Sequence, residues 1–405
     1  MGFEILKFVN GKYERNVLVQ FFMDYPKVLF DMTGLQPHGG SKRHGGAKYG
    51  ETVFCHILER HLPICCCYNS QEWLRPEIEN LVRQNHITMY DLQKNTLEDI
   101  VNAEKIDRIY TPLATLNHIH FKKCQVIGTI HDVRSLEKPL DIGQIEYKPW
   151  NNIYRFLLKV IFNQLYRKKK SHYYEEAFSS ENFKFVTVSN HSAYALKSYF
   201  PQYKDRFIPV YYSPSVTYKK VMTRKYTEKY FLLVSAERFD KNVLRAIKAL
   251  DRLFANSVAQ DFRVKVTGIL SPKVFWYKLK EPDRFDFVGF VDENDLAQLY
   301  HDAYCFIYPS LSEGFGYPPL EAMHFGVPVL ASPFTAIPEI CGSGVIYFNP
   351  LSVEEIMNRI QLILCSDIHQ KYSVLGKERE SMIAEKQQKD LDGLIDYIFN
   401  IKMLW

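Results

Sequence analysis

The stretch that decides the fold is Tyr308–Glu321, YPSLSEGFGYPPLE. It follows the short apolar run Cys305-Phe306-Ile307 and leads, through Gly314, Phe315, Gly316 and Tyr317, into Pro318-Pro319 and a helical pattern. Proline is favoured in the first turn of a helix, so the segment reads as strand, glycine turn and helix N-terminus. Backbone N–H groups and the helix dipole at such a turn attract phosphate. Two carboxylates, Glu313 and Glu321, flank the turn. They would repel a bare phosphate, but each can accept hydroxyls on either side of one. Glu321 is placed for a ribose and Glu313 for a second sugar, so a nucleotide-diphosphate sugar lying across the turn satisfies all the groups. Taken alone, the segment also fits an ordinary strand-to-helix loop with two solvated glutamates.

Working outward, short apolar runs alternate with helical patterns along the whole chain, the signature of α/β units with parallel strands. In the first half the strands are expected at 27–32, 64–68, 108–110, 125–130, 185–188 and 207–210. In the second half they are expected at 230–235, 262–267, 285–288, 305–308, 327–331 and 345–348. The polar stretch 213–228, with Pro214 and a Lys/Arg-rich segment, reads as a linker. The expected organisation is an N-terminal Rossmann-like domain at 1–212, the linker at 213–228, a second Rossmann-like domain at 229–380 and a final amphipathic helix at 381–405. A cleft then forms where the carboxyl ends of both sheets meet, which is where doubly wound folds bind ligands.

Composition agrees with this reading. With 405 residues, 46% apolar and 24% charged, the chain is neither disordered nor fibrous. Its net charge of +5 is too mild to imply nucleic acid. No apolar run reaches the ~18 residues a membrane span needs, no signal peptide is apparent, and the eight cysteines lack metal-type spacing. A cytoplasmic location is therefore expected. The aromatic share, 15%, is high. Phe315, Tyr317, Phe290, Tyr49 and Phe239 fall in cleft-facing segments, where rings suit sugar faces. The run Tyr154–Lys170, YRFLLKVIFNQLYRKKK, is apolar and basic. It reads either as a core helix with a charged end or as a helix resting on the anionic inner face of a membrane.

The text around the glycine turn narrows the possibilities. Glu313 and Glu321 form a Glu-x7-Glu pair, followed by Ala322-Met323, Gly326-Val327-Pro328-Val329 and Pro338-Glu339. This run closely resembles the donor site of retaining glycosyltransferases of family 4. Further similarity lies in Phe287–Val291, in Val186–Ser189 followed by His191-Ser192-Ala193, and in Gly45-Gly46-Ala47. The resemblance, spanning about Lys27 to Ile363, implies the GT-B fold, two facing Rossmann-like domains with the last helix crossing back onto the first.

It also implies roles for particular residues. Lys241 and Arg238 would neutralise the leaving diphosphate. Many members read Glu-Pro-Arg-Lys-Asn here, whereas this chain has Asp240 directly before Lys241, with Arg238 the substitute cation. His131, at the end of a strand, would touch the donor sugar or its phosphate. Gly45, Gly46, Gly314, Phe315, Gly316, Tyr317 and Glu321 would bind the donor. Gly39 and Gly40 form a rival pair in the first loop, which also carries Lys42 and Arg43. Asp132, Lys48 and Tyr49 are candidate acceptor contacts. No metal or cofactor is expected. Asp390-Leu391-Asp392 resembles a metal-binding Asp-x-Asp but lies on the amphipathic last helix.

The function these features imply is transfer of a hexose, with retention, from a GDP- or UDP-type sugar nucleotide to a saccharide or lipid-linked saccharide. The setting would be bacterial surface-polysaccharide synthesis. The competing readings are another GT-B activity, such as an epimerase or phosphorylase, and a non-catalytic sugar-nucleotide-binding partner. A dehydrogenase fits least, because no G-x-G-x-x-G follows the first strand.

Overall fold

The computed structural model describes residues 5–9, 12–16, 25–37, 44–138, 140–147, 151–215, 223 and 226–401. Gly39, Gly40, Lys42, Arg43 and most of the expected linker lie outside the described residues.

Two parallel six-stranded sheets form the body. The first runs Met89–Asp91, Ile64–Tyr68, Val28–Asp31, Arg108–Thr111, Gln125–Ile130, Phe183–Thr187 across its width. The second runs Phe285–Gly289, Phe262–Thr267, Lys229–Leu233, Cys305–Tyr308, Val329–Ala331, Ile346–Tyr347. Numbered within its own half, each sheet has the order 3-2-1-4-5-6, that of a dinucleotide-binding fold, with the switch point between strands 1 and 4. Helices cover both faces, so the central strands are buried throughout: all four residues of Val28–Asp31 and of Cys305–Tyr308 are buried. This is the GT-B architecture.

Each expected strand of the second half is present. In the first half, Phe207–Val210 is not a strand. Pro209 cannot donate to a ladder, and Val210 makes only an isolated bridge to Thr187. Met89–Asp91 adds an unexpected edge strand, and an antiparallel pair, Ile5–Val9 with Lys12–Asn16, precedes the first sheet.

The last helix is longer than expected and runs as one element from Ser366 to Phe399, so position 380 falls inside it. Its N-terminal part packs on Tyr317–His324, and its C-terminal part returns to Gly45–Glu59. There Leu391, Leu394, Ile395 and Ile398 join an apolar cluster continuous with Phe30 and Phe54 of the first domain and Phe306 and Met323 of the second. His56 to Asp392 and Arg60 to Asp396, both 2.7 Å, flank that contact. Asp390 accepts the Tyr212 N–H, so Asp390 and Asp392 serve different partners.

The stretch from Tyr154 to Lys170 spans two helices, Asn151–Ile161 and Asn163–Ser179. Tyr174, Ala177 and Phe178 are core residues, but Tyr154, Leu157, Val160, Ile161, Phe162 and Leu165 are exposed. The core-helix reading therefore holds only for the end of the second helix.

Candidate active site

The strand order brings residues expected at the donor together. Lys229–Leu233 and Cys305–Tyr308 are neighbours at the switch point of the second sheet. The loop after the former carries Arg238–Lys241, and the loop after the latter carries Glu313. The Asp240 carbonyl accepts the Leu311 N–H at 2.8 Å and the Ser310 hydroxyl at 3.2 Å, which knits the two loops together. Asn242, in the left-handed region at φ 56°, donates to the carbonyls of Pro309 and Pro350. It thereby sets the start of the Val243–Ala255 helix.

Within this frame Lys241 Nζ lies 2.6 Å from Glu313 Oε1 and donates to the Tyr308 hydroxyl at 3.0 Å. Tyr308 donates in turn to the same Glu313 oxygen at 2.6 Å, and Ser310 donates to it as well. Lysine has three N–H donors, so two are committed and one remains. Both members of the pair are buried, Lys241 at 6% and Glu313 at 7% exposure. Burial pushes the Glu313 carboxyl up, but Lys241 and Arg134 outweigh it and hold the group below its ordinary value. Burial and the same carboxylate hold the Tyr308 phenol well above its usual range.

The turn beyond Glu313 faces the first domain at close range. A methyl group at Gly314 would lie 2.1 Å from the His131 carbonyl oxygen, so only glycine permits this approach. Gly316 adopts φ 115°, a conformation reserved for glycine, and opens the Tyr317–His324 helix. Glu321 is buried on that helix and receives Lys48 Nζ from the first domain at 2.9 Å. Lys48, expected at the acceptor, thus reaches Glu321, the carboxylate expected at the donor. The side chains of Phe315 and Tyr317 are taken up by protein partners. Phe315 packs against Tyr212 at 5.5 Å, and Tyr317 bonds Ser213 and the Pro214 carbonyl. They fasten the turn to the start of the linker and leave its backbone to a ligand.

From the first domain, Gly45 and Gly46 open the Gly45–Glu59 helix behind the cap His44. A methyl on Gly46 would stand 3.9 Å from His131 Nε2. His131 donates from Nε2 to the Pro112 carbonyl at 2.8 Å, with the Tyr49 ring edge-on at 4.8 Å. Burial lowers its pKa against the opposing pull of the Pro112 bond. The result is a neutral imidazole whose Nδ1 is an acceptor. Tyr49 is a correction: it is 1% exposed, and its hydroxyl closes a buried triad with Thr129 and Tyr110. A ring held in the core cannot line an acceptor groove. Asp132 is occupied by Arg134, through its backbone N–H at 3.0 Å and its guanidinium at 3.1 Å.

Two further groups at this cleft, Arg134 and Lys138, were not expected from the sequence, and Glu339 was singled out only as part of the family-like run. Arg134 crosses from the first domain to Asp240 Oδ2 at 3.1 Å, and Arg238 meets the same oxygen at 2.6 Å. Surrounded by these cations, the buried Asp240 carboxyl falls to about 2, against the opposing effect of burial itself. Lys138 stands over the Phe239 ring at 4.8 Å. Glu339 accepts the backbone N–H groups of Asn190 and His191 at 2.8 and 2.7 Å, and also the Asn190 amide. The usable signals were positional. Arg134 follows a strand end, and Pro338-Glu339 belongs to the family-like run. Segment 140–147 also crosses the cleft, with Asp141 gripping Arg245 at 2.6 and 2.7 Å and Tyr147 edge-on to Phe275.

Two identical sheet topologies meeting over a turn with paired carboxylates define a protein of the GT-B fold class. The model of the family "Glycosyl transferases group 1" matches residues 217–389, in the C-terminal half of the chain. RfbU, an O-antigen chain mannosyltransferase of Salmonella typhimurium, is 31% identical over 225 residues, 55% of this chain and 56% of that one. WbdA, a serotype-specific mannosyltransferase of Escherichia coli, is 42% identical over 81 residues, 20% of this chain and 10% of that one. The chain thus spans about a tenth of WbdA and just over half of RfbU. Among solved structures, HepE of Anabaena in complex with UDP-glucose superposes with a TM-score of 0.61 at 16% identity, covering 92% of this chain and 100% of that one.

Proposed function

We propose that the chain is a hexosyltransferase that moves a sugar, mannose before others, from a nucleotide diphosphate to a hydroxyl of a saccharide or lipid-linked saccharide. Anomeric configuration is retained. The observation that carries this is the buried Lys241–Glu313 pair at the switch point, met across the cleft by Lys48 on Glu321. The mannosyltransferases RfbU and WbdA support the sugar, and the UDP-glucose held by HepE supports a sugar nucleotide as donor.

In this reading the bond from the anomeric carbon to the diphosphate oxygen breaks as the acceptor oxygen attacks the same face. The acceptor proton passes to a phosphate oxygen of the leaving group. Charge developing on that group is met by Lys241, Arg238 and the amides of the Gly314–Gly316 turn, so side-chain cations take the part a metal ion could play. Glu313 positions the sugar, and the neutral His131 accepts a sugar hydroxyl. A thermal-shift panel of GDP, UDP, dTDP and ADP tests the donor site, because a ligand selective for the folded state raises the midpoint. Anomeric NMR of the product tests retention. Normal turnover by Glu313→Ala would overturn the assignment.

The exposed residues Tyr154, Leu157 and Ile161 recur every three to four residues, hence on one face of the Asn151–Ile161 helix, and Leu165 is exposed on the helix that follows. Arg155, Lys159 and Arg167–Lys170 surround them. The proposal places this face on an anionic bilayer at the cytoplasmic surface, where a lipid-linked acceptor is presented. Among the described residues no helix is long and apolar enough to cross a membrane.

A further inference from the structure

The guanidinium of Arg134 belongs by sequence to the first domain but is spent on the second. It follows the strand Gln125–Ile130, and two carboxylates hold it, Asp132 behind and Asp240 across the cleft. Its Nε is buried and without a hydrogen-bond partner. Asp240 is bound at the same oxygen by Arg238, and its backbone is fastened to the Glu313 loop. Its neighbour Lys241 holds Glu313 itself. Two guanidinia from opposite domains therefore converge on one carboxylate oxygen at the rim of the donor turn. That geometry matches what a phosphate oxygen offers to arginine, whose planar fork binds phosphate and carboxylate alike.

We infer that Arg134 is a ligand of the donor diphosphate, contributed by the opposite domain, and that Asp240 is the counter-ion it exchanges for phosphate when the donor arrives. The inference rests on the donor reading above and extends it. The Asp240 carboxylate holds both guanidinia at the site while it is empty. A diphosphate carries more negative charge than one carboxylate, so it draws Arg134 and Arg238 from Asp240. Because Arg134 comes from the facing domain, the exchange also fastens the closed cleft over the donor.

Calorimetric titration separates this from a structural role. The probes are GDP, UDP, guanosine, uridine and inorganic pyrophosphate, against the full chain and its Arg134→Met, Arg134→Lys and Asp240→Asn variants. Arg134→Met should weaken the nucleoside diphosphate that binds, and pyrophosphate, by about 10- to 100-fold, the range of a lost charge-assisted contact. It should leave the matching nucleoside within about twofold. Arg134→Lys should recover part of the loss, since charge survives but the fork does not. Asp240→Asn should tighten the diphosphate, because nothing competes for the guanidinia. Equal diphosphate affinity in wild type and a folded Arg134→Met overturns the inference, as does an equal loss for nucleoside and nucleoside diphosphate. Absence of binding by any probe to the wild-type chain would overturn the donor reading instead.

Discussion

Glu339→Gln is the sharpest test of how the two domains are held closed. Glu339 accepts three hydrogen bonds from the start of the Asn190–Tyr199 helix, two of them from backbone N–H groups. Glutamine of the same shape keeps one acceptor and turns an NH2 toward the other donor. One charge-assisted bond is lost, about 1.5–3 kcal/mol. The negative charge at the helix N-terminus goes with it, about 0.3–1 kcal/mol. The sum, about 2–4 kcal/mol, is a ceiling, because the domains can separate and let water satisfy the orphaned N–H. Hydrogen exchange at the amides of Asn190 and His191 reads this directly. At about 1.4 kcal/mol per tenfold, that ceiling corresponds to an acceleration of at most roughly 30- to 700-fold, while core amides such as those of Phe306 and Ile307 stay slow. An acceleration below about twofold would refute the reasoning and show that other contacts, such as Ser189 on the Gly314 carbonyl, close the cleft without Glu339.

Glu313→Gln strips a buried ammonium of its counter-charge; about 3–5 kcal/mol of stability should go, read as a lower denaturation midpoint, with turnover falling at least about 100-fold. His131 is depressed in the folded state, so the unfolded chain takes up its proton first as pH falls below about 6.5. Its contribution is therefore complete above that pH and declines below it. Denaturant melts from pH 5 to 8 should show the stability gap between wild type and His131→Gln widening toward pH 8, and a pH-independent gap counts against a buried neutral imidazole. Leu157→Glu with Ile161→Glu should abolish co-flotation with vesicles containing phosphatidylglycerol while leaving the melting temperature within about 2 °C, since both side chains are exposed and buried contacts set stability. Retained flotation would remove this face from the membrane.

The second sheet was legible because its strands are short apolar runs between turn residues, and its carboxylates sit inside a long motif. The first half yielded less. Met89-Tyr90-Asp91 is too short to show a period. Side-chain direction was the harder matter. Tyr49, Phe315 and Tyr317 lie in segments that face the cleft, yet their rings serve the core or the linker. Much of the aromatic excess does the same, as in the group Tyr174, Phe178, Phe200 and Tyr203. Phe239 keeps to the cleft, under Lys138, and Phe290 is exposed. Arg134 was invisible for another reason. Its partner Asp240 is 106 residues away, and no local pattern encodes a pairing across a cleft.

The contacts between the domains divide by chemistry, and the division says which can open. Behind the sheets, the last helix joins them through Leu391, Leu394, Ile395 and Ile398, all buried. Separating that surface would expose apolar area at about 25 cal/mol per Å2, and no ligand replaces it. At the cleft the contacts are polar: Lys48 on Glu321, Arg134 on Asp240, the Asn190 helix on Glu339, Ser189 on Gly314. Water or a phosphate can replace each of these, and partly exposed ion pairs hold little net energy. Segment 140–147 stays with the second domain through Tyr147 and the Asp141–Arg245 fork. Under the proposed donor reading, the last helix is then the hinge and the Gly314–Gly316 turn the latch. Anything that takes over the Arg134 and Lys48 charges then decides how long the latch stays shut.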